Sequence, residues 1–275
     1  MRFLPLCAAA LLVLLVLLAE TAAAQRRSTS DLVVLPEVQA EIALAGNDYV
    51  LVGVNALSQA NRGGGTFAGG QLRLGYEHFW DEHWSWGPTL RIGSDAGGGY
   101  GDFLGVAGNL TPGALLRHTN SLGQLTFSQR LAAEYAVVTN DSYGNSGNRA
   151  HARLRLGLER TFAVGTHMSL RPRLSYEALA YLRFQRDANQ NKERFIDFGN
   201  ARAEIGVRLC PRVDFTPWVA LQTQYINALL LRDANGNIIT GGRTNLRAPI
   251  LGLDLRLLLG KSALSADRTV LPTQH

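Results

Sequence analysis

Charged side chains recur at alternate positions along most of this 275-residue chain. In an extended strand, alternate side chains point to the same face, so each run would place its charges together on one side of a sheet. Ten arginines and six carboxylates share the pattern, and their positive excess could favour an anionic or sugar solute. The same groups could instead pair with one another and fill a narrow interior. The interior charge network predicted in this way consists of Arg73, Glu77, Arg91, Arg130, Glu134, Arg153, Arg155, Glu159, Arg171, Arg173, Glu177, Arg202, Glu204, Arg208, Asp254 and Arg256.

Two His-x-Ser triplets could supply a base and a nucleophile for lipid hydrolysis. His83 and Ser85 would share one strand face, and so would His167 and Ser169. A serine nucleophile needs an adjacent base, and that base needs an orienting group. The triplet alone is very common, so we predict no catalytic residue and expect a protein that is not an enzyme.

Two D-x-N-x-N motifs lie in polar segments, one starting at Asp187 and the other at Asp233. Oxygen ligands at alternate positions suit Ca²⁺. Neither motif is complete, because the first lacks the central glycine and the second lacks the distal glutamate. We therefore expect turns at both places, and neither a metal nor a cofactor.

Alternation between polar and apolar residues with a period of two predicts β-strands as the elements that position these groups. Gln71, Arg73 and Glu77, for example, alternate with Leu72 and Leu74. The predicted strands often reach 12 residues, whereas strands of soluble proteins are typically about 5–6 residues long. The length of the predicted strands and the charges on their polar face favour an antiparallel transmembrane β-barrel. In such a barrel the apolar face meets lipid and the polar face lines the interior.

Short and long connections between the predicted strands alternate, as they do between the two rims of outer-membrane barrels. Residues 58–66 and 232–244 are two of the predicted long connections. Counting strands between them gives about ten, with twelve as the alternative, and places both ends of the barrel on the periplasmic side. A hairpin turn at Gly46, Asn47 and Asp48 could split the first strand.

The chain begins with a basic residue, an apolar run and a small-residue site, which together are typical of a cleaved secretory signal peptide at residues 1–24. We assign residues 25–36 to a flexible leader, 37–260 to the barrel and 261–275 to a polar tail. Removal of the signal peptide would leave Cys210 as the only cysteine, so no intramolecular disulfide is expected.

Composition excludes several other classes of protein. An apolar content of 46% argues against disorder, and only one apolar run approaches the length of a membrane-spanning helix. Lys and Arg together number 27 against 22 Asp and Glu, but these basic residues are dispersed along the chain. A dispersed positive charge does not indicate a nucleic-acid partner.

Four of the alternating stretches stand out together: Gly70–Glu77, Asn148–Glu159, Leu170–Glu177 and Asn200–Arg208. They resemble an uncharacterised family of Gram-negative outer-membrane β-barrels with a domain of unknown function. The resemblance covers roughly residues 65–259 and implies a barrel in the outer membrane, with no known catalytic residues. This chain departs from such barrels by continuing past Leu259 instead of finishing with a terminal aromatic residue.

These observations predict an outer-membrane barrel that is either structural or a passive pore for small anionic or sugar solutes. Its expected partners are outer-membrane lipid and the barrel-assembly machinery. Two alternatives stay open: a lipid-modifying outer-membrane enzyme, and a secreted soluble β-barrel that binds a ligand inside. The soluble alternative would turn Leu154, Leu156 and Leu158 inward and expose Arg153 and Arg155.

Overall fold

The computed structural model describes residues 26–61, 64–95, 109–138, 148–164, 168–182, 195–232, 235 and 238–260. Among them no helix is long and apolar enough to cross a membrane. The described residues form β-strands, and short turns join those strands whose connections are described. The strands are β1 (Arg26–Thr29), β2 (Leu32–Ala43), β3 (Tyr49–Asn61), β4 (Gly64–Phe79), β5 (Trp84–Asp95), β6 (Asn109–Leu122), β7 (Leu125–Val138), β8 (Arg149–Glu159), β9 (Phe162–Val164), β10 (Met168–Tyr181), β11 (Phe198–Cys210), β12 (Val213–Arg232) and β13 (Ile238–Leu259).

The strands form a closed barrel with eleven positions around its wall, between the two strand counts that the sequence predicts. Strands β1 and β2 both pair with β13 and follow one another across a break at Ser30 and Asp31. Strands β8 and β9 both pair with β10 and are likewise successive parts of one wall position. The other neighbours in the sheet pair antiparallel in sequence order.

The barrel closes through a parallel pairing of β13 with β2, running from Ile250 beside Val33 to Leu259 beside Ile42. Parallel closure follows from the odd number of wall positions. A tight turn around Gly46, whose φ of 62° suits glycine, creates the extra hairpin between β2 and β3. The first wall position therefore starts at the opposite rim from the one where β13 ends. The expectation that both ends lie on one side is wrong.

Two further predictions about boundaries are wrong. Residues 26–29 and 32–36, assigned to a flexible leader, belong to β1 and β2 because the edge of β13 supplies their backbone partners. The predicted connection at residues 58–66 is largely strand, since β3 runs to Asn61 and β4 begins at Gly64. The predicted signal peptide (1–24) and polar tail (261–275) lie outside the described residues.

The wall turns its apolar face outward and its charged face inward. Leu154 is 46% exposed and Leu174 is 65% exposed, whereas Arg153 is 3% exposed. This is the reverse of the arrangement expected for a soluble barrel. Aromatic side chains lie on the outward face near one rim, at Tyr76, Trp84 and Trp86. Trp80 stacks on Trp84 there, with ring centroids 6.1 Å apart.

Apolar side chains also cluster inside the barrel on both sides of its charged middle. At the rim formed by the short turns, which we call the turn rim, Tyr49 and Leu51 pack with Phe79. Toward the opposite rim, a larger apolar cluster joins Val33 and Leu57 to Trp218. The charges between them are consequently withdrawn from bulk water.

Candidate functional site

All sixteen charged residues of the predicted network lie on the inward face of the barrel. Twelve are buried, and Arg130, Arg155, Glu159 and Arg208 are half-buried. Four further charged side chains lie among them and were not in the predicted network: Glu37, Glu41, Arg117 and Asp214. We call these twenty residues the charged belt.

Glu134 is one centre of the belt. Its Oε2 pairs with the guanidinium of Arg91, lies 2.8 Å from Nε of Arg153 and lies 2.6 Å from Nε2 of His151. Arg153 continues to Glu177, which it reaches at 3.2 Å. Glu177 also lies 3.5 Å from Nε of Arg155. One carboxylate therefore contacts two guanidinium groups and an imidazole, and one arginine links two carboxylates across neighbouring strands.

Asp214 is a second centre, where three strands converge on one carboxylate near the turn rim. Its oxygens lie 3.0 Å from Arg171, 2.8 Å from Arg208 and 2.7 Å from Arg256. These four residues form the Asp214 cluster. Asp214 is fully buried, so the guanidinium groups supply the hydrogen bonds that water would otherwise provide.

Trp218 connects the charges to the apolar cluster. Its indole N–H donates to Asp254 at 2.8 Å, and the guanidinium of Arg202 lies over its ring at 3.8 Å from the centroid. Arg202 also reaches Asp254 at 2.9 Å. The ring occupies the space that a side chain at Gly252 would take, because a Cβ there would lie 1.9 Å from the Trp218 Cε2 atom.

A third group of polar side chains surrounds Glu77 near the turn rim. Tyr49 and Ser85 both donate hydroxyl hydrogen bonds to Glu77, and Arg117 reaches it at 3.2 Å. His83, by contrast, lies in the exposed turn before β5, with its Nδ1 2.9 Å from the Thr119 carbonyl oxygen. The structure therefore does not join His83 to Ser85 on one face, because the strand begins only at Trp84.

The other candidates from the sequence contribute little to this interior. Cys210 is half-buried at the end of β11. His167, the motif that starts at Asp187 and most of the motif that starts at Asp233 lie outside the described residues. Among the described residues, no group of three or more His, Cys, Asp or Glu side chains could hold a metal ion.

Some residues of the belt could be found from the sequence and others could not. Glu37 and Glu41 share the inward face of β2 with Gln39, but this short polar run begins at the boundary assigned to the flexible leader. Arg117 follows the inward apolar residue Leu115, which interrupts the charged pattern. Asp214 lies next to the turn between β11 and β12, outside the alternating runs of the sequence.

Comparisons with known proteins add little to this description. No protein-family model and no characterised protein matches the sequence. The NanC porin, solved in a rhombohedral crystal form, gives a TM-score of 0.40 at 12% identity, over 80% of this chain and 91% of that chain. The barrel is therefore assigned from the strand pairing of this chain itself, and the resemblance to an uncharacterised family stays a prediction.

Proposed function

We propose that this protein is a narrow outer-membrane pore for small solutes, with a charged belt that closes most of its cross-section and favours anions. The outward apolar face supports a position in lipid. The proposal includes cleavage of the signal peptide, Gram-negative origin and insertion by the barrel-assembly machinery.

The observation that carries the proposal is the withdrawal of so many charges into the barrel. Burying charged groups is costly, and well-packed apolar side chains of similar volume would fill a closed interior with equal or greater stability. A barrel that only had to be filled would not need this belt. Charged groups do suit a path along which ions or polar solutes exchange their hydration shells.

The balance of charge supports a preference for anions. The belt holds eleven arginines and nine carboxylates among the described residues, so the arginines exceed the carboxylates by two. Because low-dielectric walls strengthen the field inside a narrow passage, a small excess of one sign affects which ions enter. We expect anions to pass more readily than cations of similar size.

Single-channel recording in a planar bilayer tests the proposal. The protein, purified from membranes and reconstituted, should give small conductance steps, and a KCl gradient should shift the reversal potential toward that of chloride. Silent insertion at all voltages would contradict the pore, and a reversal potential near that of potassium would contradict the anion preference.

A pair of variants separates the belt from the rest of the barrel. Arg153→Gln removes the link between Glu134 and Glu177 and should raise the conductance while reducing the anion preference. Arg212→Gln, at an exposed turn position, is the matched control and should leave both quantities unchanged. If the two variants had the same conductance and anion preference, conduction would not depend on the belt.

A structural barrel is the second candidate, because the ion pairs are dense enough to hold the wall together without conduction. Asp214 alone pairs with three arginines from three different strands. Insertion without current, combined with loss of barrel stability in Asp214 variants, would favour this function.

A further inference from the structure

Three arginines stand side by side across β6, β7 and β8. Arg117 is directly opposite Arg130, and Arg130 is directly opposite Arg155. We call these three residues the arginine row. Like charges at directly opposite positions destabilise a sheet, since neighbouring strands are only about 4.8 Å apart.

The nearest carboxylates are shared with other groups. Glu77, which pairs with Arg117, also accepts hydrogen bonds from Tyr49 and Ser85. Glu177, which lies 3.5 Å from Nε of Arg155, is also paired with Arg153. Two arginines of the row, Arg117 and Arg155, are therefore paired with acids that other donors also engage.

A small cavity lies beside the row, in the interior of the barrel. Its volume is about 20 Å³, and the described residues that line it include no carboxylate. A cavity needs roughly 10–15 Å³ to hold one water molecule, so this one has room for a single species somewhat larger than water. It is lined by Arg117, Ser128, Arg130, Arg155, Gly157, Arg173 and Ser175.

The backbone register keeps this cavity open. Gly157 lies between Ser128 on one neighbouring strand and Ser175 on the other. A Cβ at Gly157 would stand 2.8 Å from the Ser128 hydroxyl oxygen. Glycine thus leaves both serine hydroxyls accessible from the cavity, where they can donate hydrogen bonds alongside the guanidinium groups.

The geometry points to a binding site for one small inorganic anion of the size of chloride, held by the arginine row, Arg173 and the two serine hydroxyls. Four guanidinium groups border the cavity, and that of Arg173 is also paired with Glu159 and Glu204. Together with two hydroxyl groups that can rotate, they supply the hydrogen-bond donors that suit a spherical anion. The bound anion offsets the repulsion within the row. This site goes beyond the proposed pore, because it binds its anion whether or not the barrel conducts.

Chloride-35 NMR on the reconstituted full-length protein tests the site directly. The chloride line should broaden in the presence of protein, and bromide should remove the broadening by competition. Phosphate at the same ionic strength should not compete, because it is larger than the cavity. Absence of saturable broadening, or equal competition by phosphate, would overturn the assignment.

Variants locate the site within the barrel. Arg130→Gln should weaken chloride binding at least tenfold, while Arg212→Gln, at an exposed turn position, should leave it unchanged. Ser175→Val fills the cavity without changing any charge and should also abolish the broadening, which keeps the test valid if Arg130→Gln does not fold. Unchanged binding in the folded Ser175→Val variant would refute the site. Current measured on the same samples shows separately whether the pore proposal holds.

Discussion

Buried positive charge is balanced in different ways on two parts of the barrel wall. In the Asp214 cluster, Arg171, Arg208 and Arg256 converge on one carboxylate at 3.0 Å or less. In the arginine row, the register places cations opposite one another and leaves a small cavity beside them. The first wall neutralises itself, whereas the second is arranged to accept a negative charge from outside the protein.

Replacing the acid at the centre of the self-neutralised wall should have the largest effect. Asp214→Asn leaves three guanidinium groups around a neutral amide, and breaking a buried charge pair costs about 3–5 kcal/mol. Urea unfolding in lipid vesicles, followed by tryptophan fluorescence, measures this loss. Asp81→Asn, in an exposed turn, is the control and should change the free energy of unfolding far less. Similar losses in both variants would show that Asp214 is not a centre of stability.

Packing on the same wall gives the next largest effect. Gly252→Ala places a methyl group 1.9 Å from the Trp218 ring, so the ring must move away from Asp254 and Arg202. Overpacking of this kind costs about 1–3 kcal/mol. Gly206→Ala is the matched control, because its Cβ would meet Arg171 at an ordinary 3.5 Å. The same unfolding assay should separate the two alanine variants, and equal stability would contradict the tight fit at Trp218.

The alternation of side chains made the inward face predictable. The sequence pattern of Arg153 and Arg155 against Leu154 and Leu156 is sufficient to say that the two sets face opposite sides. It also identifies the charged face as the inner one, once strand length indicates a membrane barrel. The sixteen predicted residues accordingly lie on one surface.

Register and closure could not be predicted in the same way. Within the arginine row, only the register between β6 and β7 is set locally, because the two-residue turn at Gly123 and Gln124 places Arg117 opposite Arg130. The position of Arg155 opposite Arg130 depends instead on the long connection between β7 and β8, whose length does not fix a register. The pairing of β13 with β2 joins distant parts of the chain, and no local pattern marks it.

A contrast between two arginine variants tests the difference between the walls. In chloride-free gluconate buffer, Arg171→Gln should lower the free energy of unfolding by about 1.5–3 kcal/mol, since it removes a hydrogen bond to a buried carboxylate. Arg130→Gln should leave it unchanged or raise it, because the variant relieves the repulsion in the row. Adding chloride should stabilise the wild type more than Arg130→Gln. If both variants were equally destabilised in gluconate, the Asp214 cluster and the arginine row would not differ in how their charges are balanced.

The smallest effect is expected outside the belt, at a carboxylate near solvent. Asp48 lies in the turn between β2 and β3, accepts the Phe79 backbone N–H at 2.9 Å and lies 2.8 Å from Nδ1 of His78. Burial alone would raise the pKa of Asp48, but hydrogen bonds from His78, Phe79 and Tyr76 outweigh it and hold the pKa below its ordinary value. The folded pKa is thus lower than the unfolded one.

Stability from Asp48 is therefore present above its unfolded pKa of about 3.9 and is lost as the pH falls through the folded pKa. At pH 6, Asp48→Asn should cost less than about 1 kcal/mol, as partly exposed ion pairs do. The difference in free energy of unfolding between wild type and variant should shrink when the titration is taken to pH 3. If the difference stayed constant, the contribution of Asp48 would come from turn geometry and not from its charge. A loss of stability as large as that of Asp214→Asn would mean that burial in the belt does not explain the cost of removing a carboxylate there.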